Sequence, residues 1–162
     1  MRTLILVRHG KSEWGTTAVD IDRPLKESGE SDARLVCEEV KRFLPPKFTI
    51  WSSVARRASK TALIFADILS YPAQDIFFRE ELYTFDAAAL ETCIRSCSDE
   101  HRTLMVFGHN EGLTDFVNKF GDIYIDNVPT SGLVTITFDT GSWSDFSTGK
   151  TGKVIFPRDL KA

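Results

Sequence analysis

Apolar positions follow two rhythms along this 162-residue chain. Short continuous runs, the pattern of strands buried on both faces, alternate with stretches where apolar residues recur every three or four positions, the pattern of one-sided helices. The run Thr3 to Val7 predicts a strand close to the first residue, and Thr103 to Phe107 predicts a matching one. Between them, Ser31 to Leu44 sets Ala33, Val36, Cys37, Val40, Phe43 and Leu44 on one helical face before Pro45-Pro46 stops it. Phe48 to Trp51 predicts a strand ending in Ser52-Ser53, followed by a helix with Ala55, Ala58, Ala62, Phe65, Ala66 and Leu69 on its apolar face. Asp75 to Phe78 predicts another strand, and Ala87, Leu90, Cys93, Ile94 and Cys97 a third helix. After the Thr103 strand come a helix over Leu113 to Phe120 and a strand over Leu133 to Asp139. Thr140-Gly141 and Gly149-Lys150 read as turns, leaving Trp143 to Phe146 and Lys153 to Phe156 as short edge strands. Strands alternating with helices imply an α/β fold: a single domain over residues 1–162, with a mainly parallel central sheet flanked by helices.

Charge narrows the partners. Twenty Lys and Arg oppose 23 Asp and Glu, a net charge of -3, with no basic block to follow a nucleic acid or an anionic bilayer. The apolar stretch Leu4 to Val7 is far short of a membrane span, and Arg8 interrupts it too early for a secretory signal. A cytoplasmic protein with no nucleic-acid or membrane partner is expected. Three cysteines make a disulfide framework improbable, and Cys93 with Cys97 lacks the flanking ligands of a zinc site, so buried, inert thiols are expected.

The chemistry gathers at strand ends. Arg8-His9-Gly10 follows the first strand and Gly108-His109-Asn110 follows the Thr103 strand, so two imidazoles meet the crevice where α/β sheets bind ligands. A neutral imidazole is a nucleophile toward phosphorus, and a guanidinium binds phosphate oxygens through paired, charge-assisted hydrogen bonds. Arg57 lies in the first turn after Ser52-Ser53, at the same sheet end; Arg56 is the alternative, but Arg57 adjoins the buried stripe through Ala58. The helix after Asn110 offers free backbone N–H groups to an anion, with Asn110 a substrate-binding candidate.

Order and spacing of these segments resemble the histidine phosphatase superfamily, of phosphoglycerate mutase-like fold. Its Arg-His-Gly opening matches Arg8-His9-Gly10, its Ser-Ser-x-x-x-Arg-Ala segment matches Ser52-Ser53-Val54-Ala55-Arg56-Arg57-Ala58, and its Gly-His turn matches Gly108-His109. The resemblance implies that His9 becomes transiently phosphorylated, that Arg8, Arg57 and His109 form the phosphate pocket, and that neither metal nor other cofactor is needed. Within that superfamily the chain looks like the short SixA-type phosphohistidine phosphatases, through Asp20-Ile21-Asp22-Arg23-Pro24-Leu25, the turn Gly108 to Leu113 and the closing Pro157-Arg158-Asp159-Leu160. On that basis Arg23 adds a cation near the phosphate or pairs with Asp20 or Asp22. Lys60 departs from the family, which often carries glutamine there.

Larger members supply a general acid from an insertion for which this chain has little room; Asp20, Glu80 and Glu81 are the candidates left. An imidazole leaving group, with a conjugate-acid pKa of about 6.5, needs little help near neutral pH, which favours phosphohistidine over alkyl phosphates. With no segment long enough for a cap, the expected partner is a phosphorylated protein or a small phosphorylated molecule. In the mechanism implied, Arg8, Arg57 and a protonated His109 hold the phosphoryl oxygens. A phosphate-binding module without turnover is the rival reading. A metal hydrolase is disfavoured because His9, His101 and His109 form no i,i+4 pair with a glutamate, and a dinucleotide enzyme because no Gly-x-Gly-x-x-Gly follows the first strand.

Overall fold

In the computed structural model, residues 1–15 and 17–161 are described. The chain runs through β1 (Arg2–Arg8), α1 (Glu27–Val40), β2 (Thr49–Ser53), α2 (Arg56–Ile68), β3 (Phe77–Arg79), α3 (Ala87–Arg95), β4 (Thr103–Gly108), α4 (Gly112–Phe120), β5 (Leu133–Phe138), β6 (Lys150–Ile155) and α5 (Pro157–Leu160). The strands form one six-stranded sheet in the order β3-β2-β4-β1-β5-β6. The first four of that order are mutually parallel, while β5 lies antiparallel to both β1 and β6. The closing strand therefore pairs within the chain's own sheet.

Alternation along the central strands sends side chains into two cores. Leu4 and Leu6 of β1, with Leu104 and Val106 of β4, meet Leu90, Ile94, Phe116 and Val117 of α3 and α4. Ile5, Val7, Met105 and Phe107 face the other way, onto Ala33, Val36 and Val40 of α1 and Ala62 and Phe65 of α2. Covered on both faces, these strands are continuous apolar runs for the reason the sequence suggested.

Three local expectations need correction. Trp143 to Phe146 is no edge strand: Trp143–Asp145 is a 3-10 turn, and Trp143 is fully buried. Its indole N–H donates to the His101 carbonyl (2.6 Å) and its backbone N–H to Asp99 Oδ1 (2.9 Å), the polar partners a buried tryptophan requires. Helix α1 starts at Glu27 rather than Ser31, because its first turn is largely solvated and carries Glu27 and Glu30, which suit the positive end of the helix dipole. It ends at Val40, so Phe43 and Leu44 pack from the following turn. Strand β3 is shorter than Asp75 to Phe78 implied, since Ala73–Asp75 is a 3-10 turn, and Phe77 and Phe78 are exposed on the sheet edge.

Cys37, Cys93 and Cys97 are free and buried, and burial pushes the thiols of Cys37 and Cys97 up to about 12. Among the described residues, no helix is long and apolar enough to cross a membrane.

Candidate active site

Strands β1 and β4 are parallel neighbours in the middle of the sheet, with Arg8 opposite Gly108. One residue further on, His9 and His109 must emerge side by side, at about the spacing of adjacent strands. Their ring centroids are 5.2 Å apart. On the other side of β4, Ser52 lies opposite Phe107, which puts Ser53 level with Gly108, and Ser53 Oγ is 2.8 Å from Nε2 of the next residue, His109. Ser53 Oγ also accepts from the Ala55 N–H (3.1 Å), setting the turn that leads into α2 and brings Arg57 to the same place.

The geometry fixes which His9 nitrogen is available. His9 Nδ1 is 2.7 Å from the Gly10 carbonyl, which can only accept, so the ring proton sits on Nδ1. The Nε2 lone pair then faces the pocket, 3.4 Å from Arg57 Nε. Burial pushes the imidazole down to about 4, and Arg57 and Arg8 add to the effect by repelling a proton. His9 is therefore neutral at neutral pH, with its lone pair unprotonated. Burial, followed by the nearby His9, pushes His109 down to about 3. His109 is thus neutral in the free pocket, and its Nδ1 is buried without a hydrogen-bond partner among the described residues.

Three arginines surround the pair. Arg57 is buried, with Nη1 donating to the Asp20 carbonyl (2.7 Å) and Nη2 to Asp20 Oδ2 (3.1 Å). Arg23 pairs with Asp20 Oδ1 (3.1 Å), as one of its two readings had it, donates to Ser12 Oγ (2.6 Å), and lines the same cavity. Arg8 Nη1 donates to the Val128 carbonyl (3.0 Å), while Arg8 Nε is buried without a partner among the described residues. Arg56 is exposed, whereas Arg57 is buried and lines the cavity.

Asp20 joins the arginines. A hydrogen bond from Tyr83, followed by the charge of Arg57, holds its carboxyl down to about 2. Of the other acid candidates, Glu81 pairs with Arg79 (2.6 Å), and neither it nor Glu80 lines the cavity. Asn110 lines it, but its amide is largely committed: Oδ1 accepts from the backbone N–H (3.1 Å) and hydroxyl (2.8 Å) of Thr114, and Nδ2 donates to Asn127 Oδ1 (2.8 Å).

Sequence reasoning missed four participants. Ser53 orients His109. Thr61 Oγ1 accepts from the Gly10 N–H (3.0 Å) and donates to the Arg57 carbonyl (2.7 Å), tying the His9 turn to α2. Tyr83 and Phe85 set their rings against His109, each with centroids 5.4 Å away. The Ser-Ser segment was a usable signal for Ser53; the aromatics come from an irregular loop with no periodicity to read.

The cavity lined by Arg8, His9, Asp20, Arg23, Arg57 and His109 measures about 410 Å³ and opens directly to solvent. A larger hollow, about 620 Å³, lies at the opposite sheet end between residues 46–49, 69–72 and 100–103. His101 lies there, engaged with Thr49 Oγ1 at 2.9 Å, and none of the residues gathered around His9 reaches it.

Fold and site define a phosphoglycerate mutase-like protein with a cationic pocket around two histidines. The model of histidine phosphatase superfamily branch 1 matches residues 4–111, and the chain belongs to that superfamily. An uncharacterized chloroplastic protein of Arabidopsis thaliana is 27% identical over 120 residues, 68% of this chain. The aligned stretch spans 55% of that relative's length. The fold matches that of the protein histidine phosphatase SixA complexed with tungstate, with TM-score 0.82 and 21% identity over 98% of this chain and 99% of that one. Mycobacterial glucosyl-3-phosphoglycerate phosphatase shares the fold at TM-score 0.65 and 14% identity, over 96% and 98% of the two chains.

Proposed function

We propose that the protein is a metal-independent phosphatase that removes phosphoryl groups from phosphohistidine on a protein, with His9 as nucleophile. The observation carrying this reading is the state of His9: neutral, with Nδ1–H held by the Gly10 carbonyl and the Nε2 lone pair beside Arg57. Nε2 attacks phosphorus, the bond from phosphorus to the substrate imidazole breaks, and that imidazole leaves with a proton from solvent. Water then attacks phosphohistidine-9, releasing phosphate and regenerating His9. Arg8, Arg57 and Arg23 hold the phosphoryl oxygens and supply the positive charge that a metal ion supplies elsewhere. The incoming dianion favours a proton on His109, turning it into a further donor.

Two features support phosphohistidine as substrate. Asp20, the one carboxylate lining the cavity among the described residues, is held at about 2 and is ionised at neutral pH, a poor proton donor for an alcohol leaving group. The cavity also opens directly to solvent, admitting a side chain presented on another protein. The second reading, a small-molecule phosphatase, is favoured by the same openness and by the fold shared with a sugar-phosphate phosphatase. The test is release of phosphate from a phosphohistidine-bearing protein and from p-nitrophenyl phosphate, each with and without EDTA. Faster, chelator-insensitive clearance of the phosphoprotein is expected; preference for the ester supports the second reading, and loss of activity with chelator refutes metal independence. Binding of phosphate without turnover of either would leave a binding module.

A further inference from the structure

Two large aromatic side chains stand in the mouth of the His9 cavity, and phosphate chemistry has no use for them. Trp14 is 74% exposed and Phe85 is 52% exposed, yet both line the cavity. Neither is idle surface. The Arg23 guanidinium stacks on Trp14, 3.6 Å from the ring centroid, so the indole is fixed to a cation of the phosphate pocket. Phe85 packs against His109 and Tyr83 in T-shaped arrangements, at 5.4 and 5.7 Å between centroids. Each aromatic is thus anchored on one side to a polar group of the pocket and bare on the other.

We propose that Trp14 and Phe85 form an aromatic mouth that selects phosphoryl groups carried on a flat ring, the imidazole of phosphohistidine. This deepens the phosphatase reading and rests on it. A phosphoryl group among Arg8, Arg23 and Arg57 leaves its substituent at the cavity opening, where Trp14 and Phe85 are the aromatic side chains lining the cavity. A planar ring there gains stacking and edge contacts that an alkyl chain does not make. The rings act on the leaving group alone and make no contact with the transferred oxygens.

Binding of stable phosphonates tests this without depending on turnover. Calorimetry of wild type with phenylphosphonate and with methylphosphonate should show the phenyl compound about tenfold tighter. Trp14→Ala and Phe85→Ala should each cut that preference, read as the ratio of the two affinities, by about threefold, and Trp14→Phe should restore most of it. Equal wild-type affinities, or a preference that survives both alanine variants, would overturn the aromatic mouth while leaving the phosphatase reading intact. Affinities for both phosphonates that fall together would overturn it too, by showing that the rings only position Arg23 and His109. Failure of both phosphonates to bind wild type would sink the phosphoryl site itself and the mouth with it. Hydrolysis of N-phosphoimidazole and phenyl phosphate, each relative to its uncatalysed rate, separates the ring types: greater enhancement on N-phosphoimidazole is expected, and the reverse would overturn the imidazole assignment.

Discussion

Lowering the pH should spare His9 long after an ordinary histidine has taken up its proton. Holding the ring at about 4 instead of the usual 6.5 favours its neutral form by ~3 kcal/mol. At pH 5.5 His9 is then about 97% neutral, where an unperturbed imidazole is about one-tenth neutral. Ring signals from histidine-labelled protein, assigned with His9→Asn, His101→Asn and His109→Asn variants, give the titration directly. The value of kcat/KM for p-nitrophenyl phosphate, corrected for the substrate's own ionisation, should hold down to about pH 5 and fall below it. Stability carries the same signature. The unfolded chain binds the proton below about 6.5 and the native one only near 4, so stability falls as pH drops between those values and the His9 contribution levels off below them. At pH 5 the loss from His9 is ~2 kcal/mol relative to pH 7.5, absent in His9→Asn and measurable as a lower urea midpoint. A His9 titration near 6.5, with an activity limb at the same pH, would refute the reasoning, because burial beside two arginines would then have no effect on the ring.

Other perturbations separate the roles of neighbouring groups. Ser53→Ala removes the 2.8 Å contact to His109 and should lower kcat about tenfold with phosphate affinity changed by less than about twofold, measured by steady-state kinetics and product inhibition. Asp20→Asn should weaken phosphate binding through Arg57 and lower stability by ~1 kcal/mol at pH 7, a modest figure because the carboxylate is half exposed. It should leave the dependence of rate on leaving-group pKa unchanged across a series of aryl phosphates; a selective loss on the poorest leaving groups would make Asp20 the acid after all. A Cβ at Gly29 would sit 2.3 Å from the Lys11 carbonyl, so Gly29→Ala should destabilise by ~1–3 kcal/mol and lower the melting temperature by a few degrees.

Much of the site was legible because sheet geometry does the gathering. Two histidines at the tips of adjacent parallel strands are brought together by register, and an arginine in the first turn of α2 joins them from the end of β2. Arg57 was separable from Arg56 because the helical stripe shows which of the two faces inward. Asp20 and Tyr83 were harder: they meet across 63 positions, Asp20 from the start of one 3-10 turn and Tyr83 from just after another, neither with a periodic signal. The charge state of His109 was also hidden, since it depends on how deeply the ring is buried. Trp143 misled for a related reason, as a short run of aromatic and polar residues between turns resembles an edge strand until the buried indole finds the His101 carbonyl. Gly10 shows the limit from the other side: the motif marks it, but only the packed structure reveals that a Cβ there would come within 2.9 Å of the Gly29 carbonyl.

The measurement closest to the central claim is intact-mass spectrometry of wild type and His9→Ala after neutral quenching during reaction with a phosphohistidine-bearing protein. One phosphoryl group should appear transiently on wild type, map to His9, and be absent from the variant. A phosphoryl adduct of equal occupancy on His9→Ala, or turnover retained by that variant, would contradict a covalent route through His9.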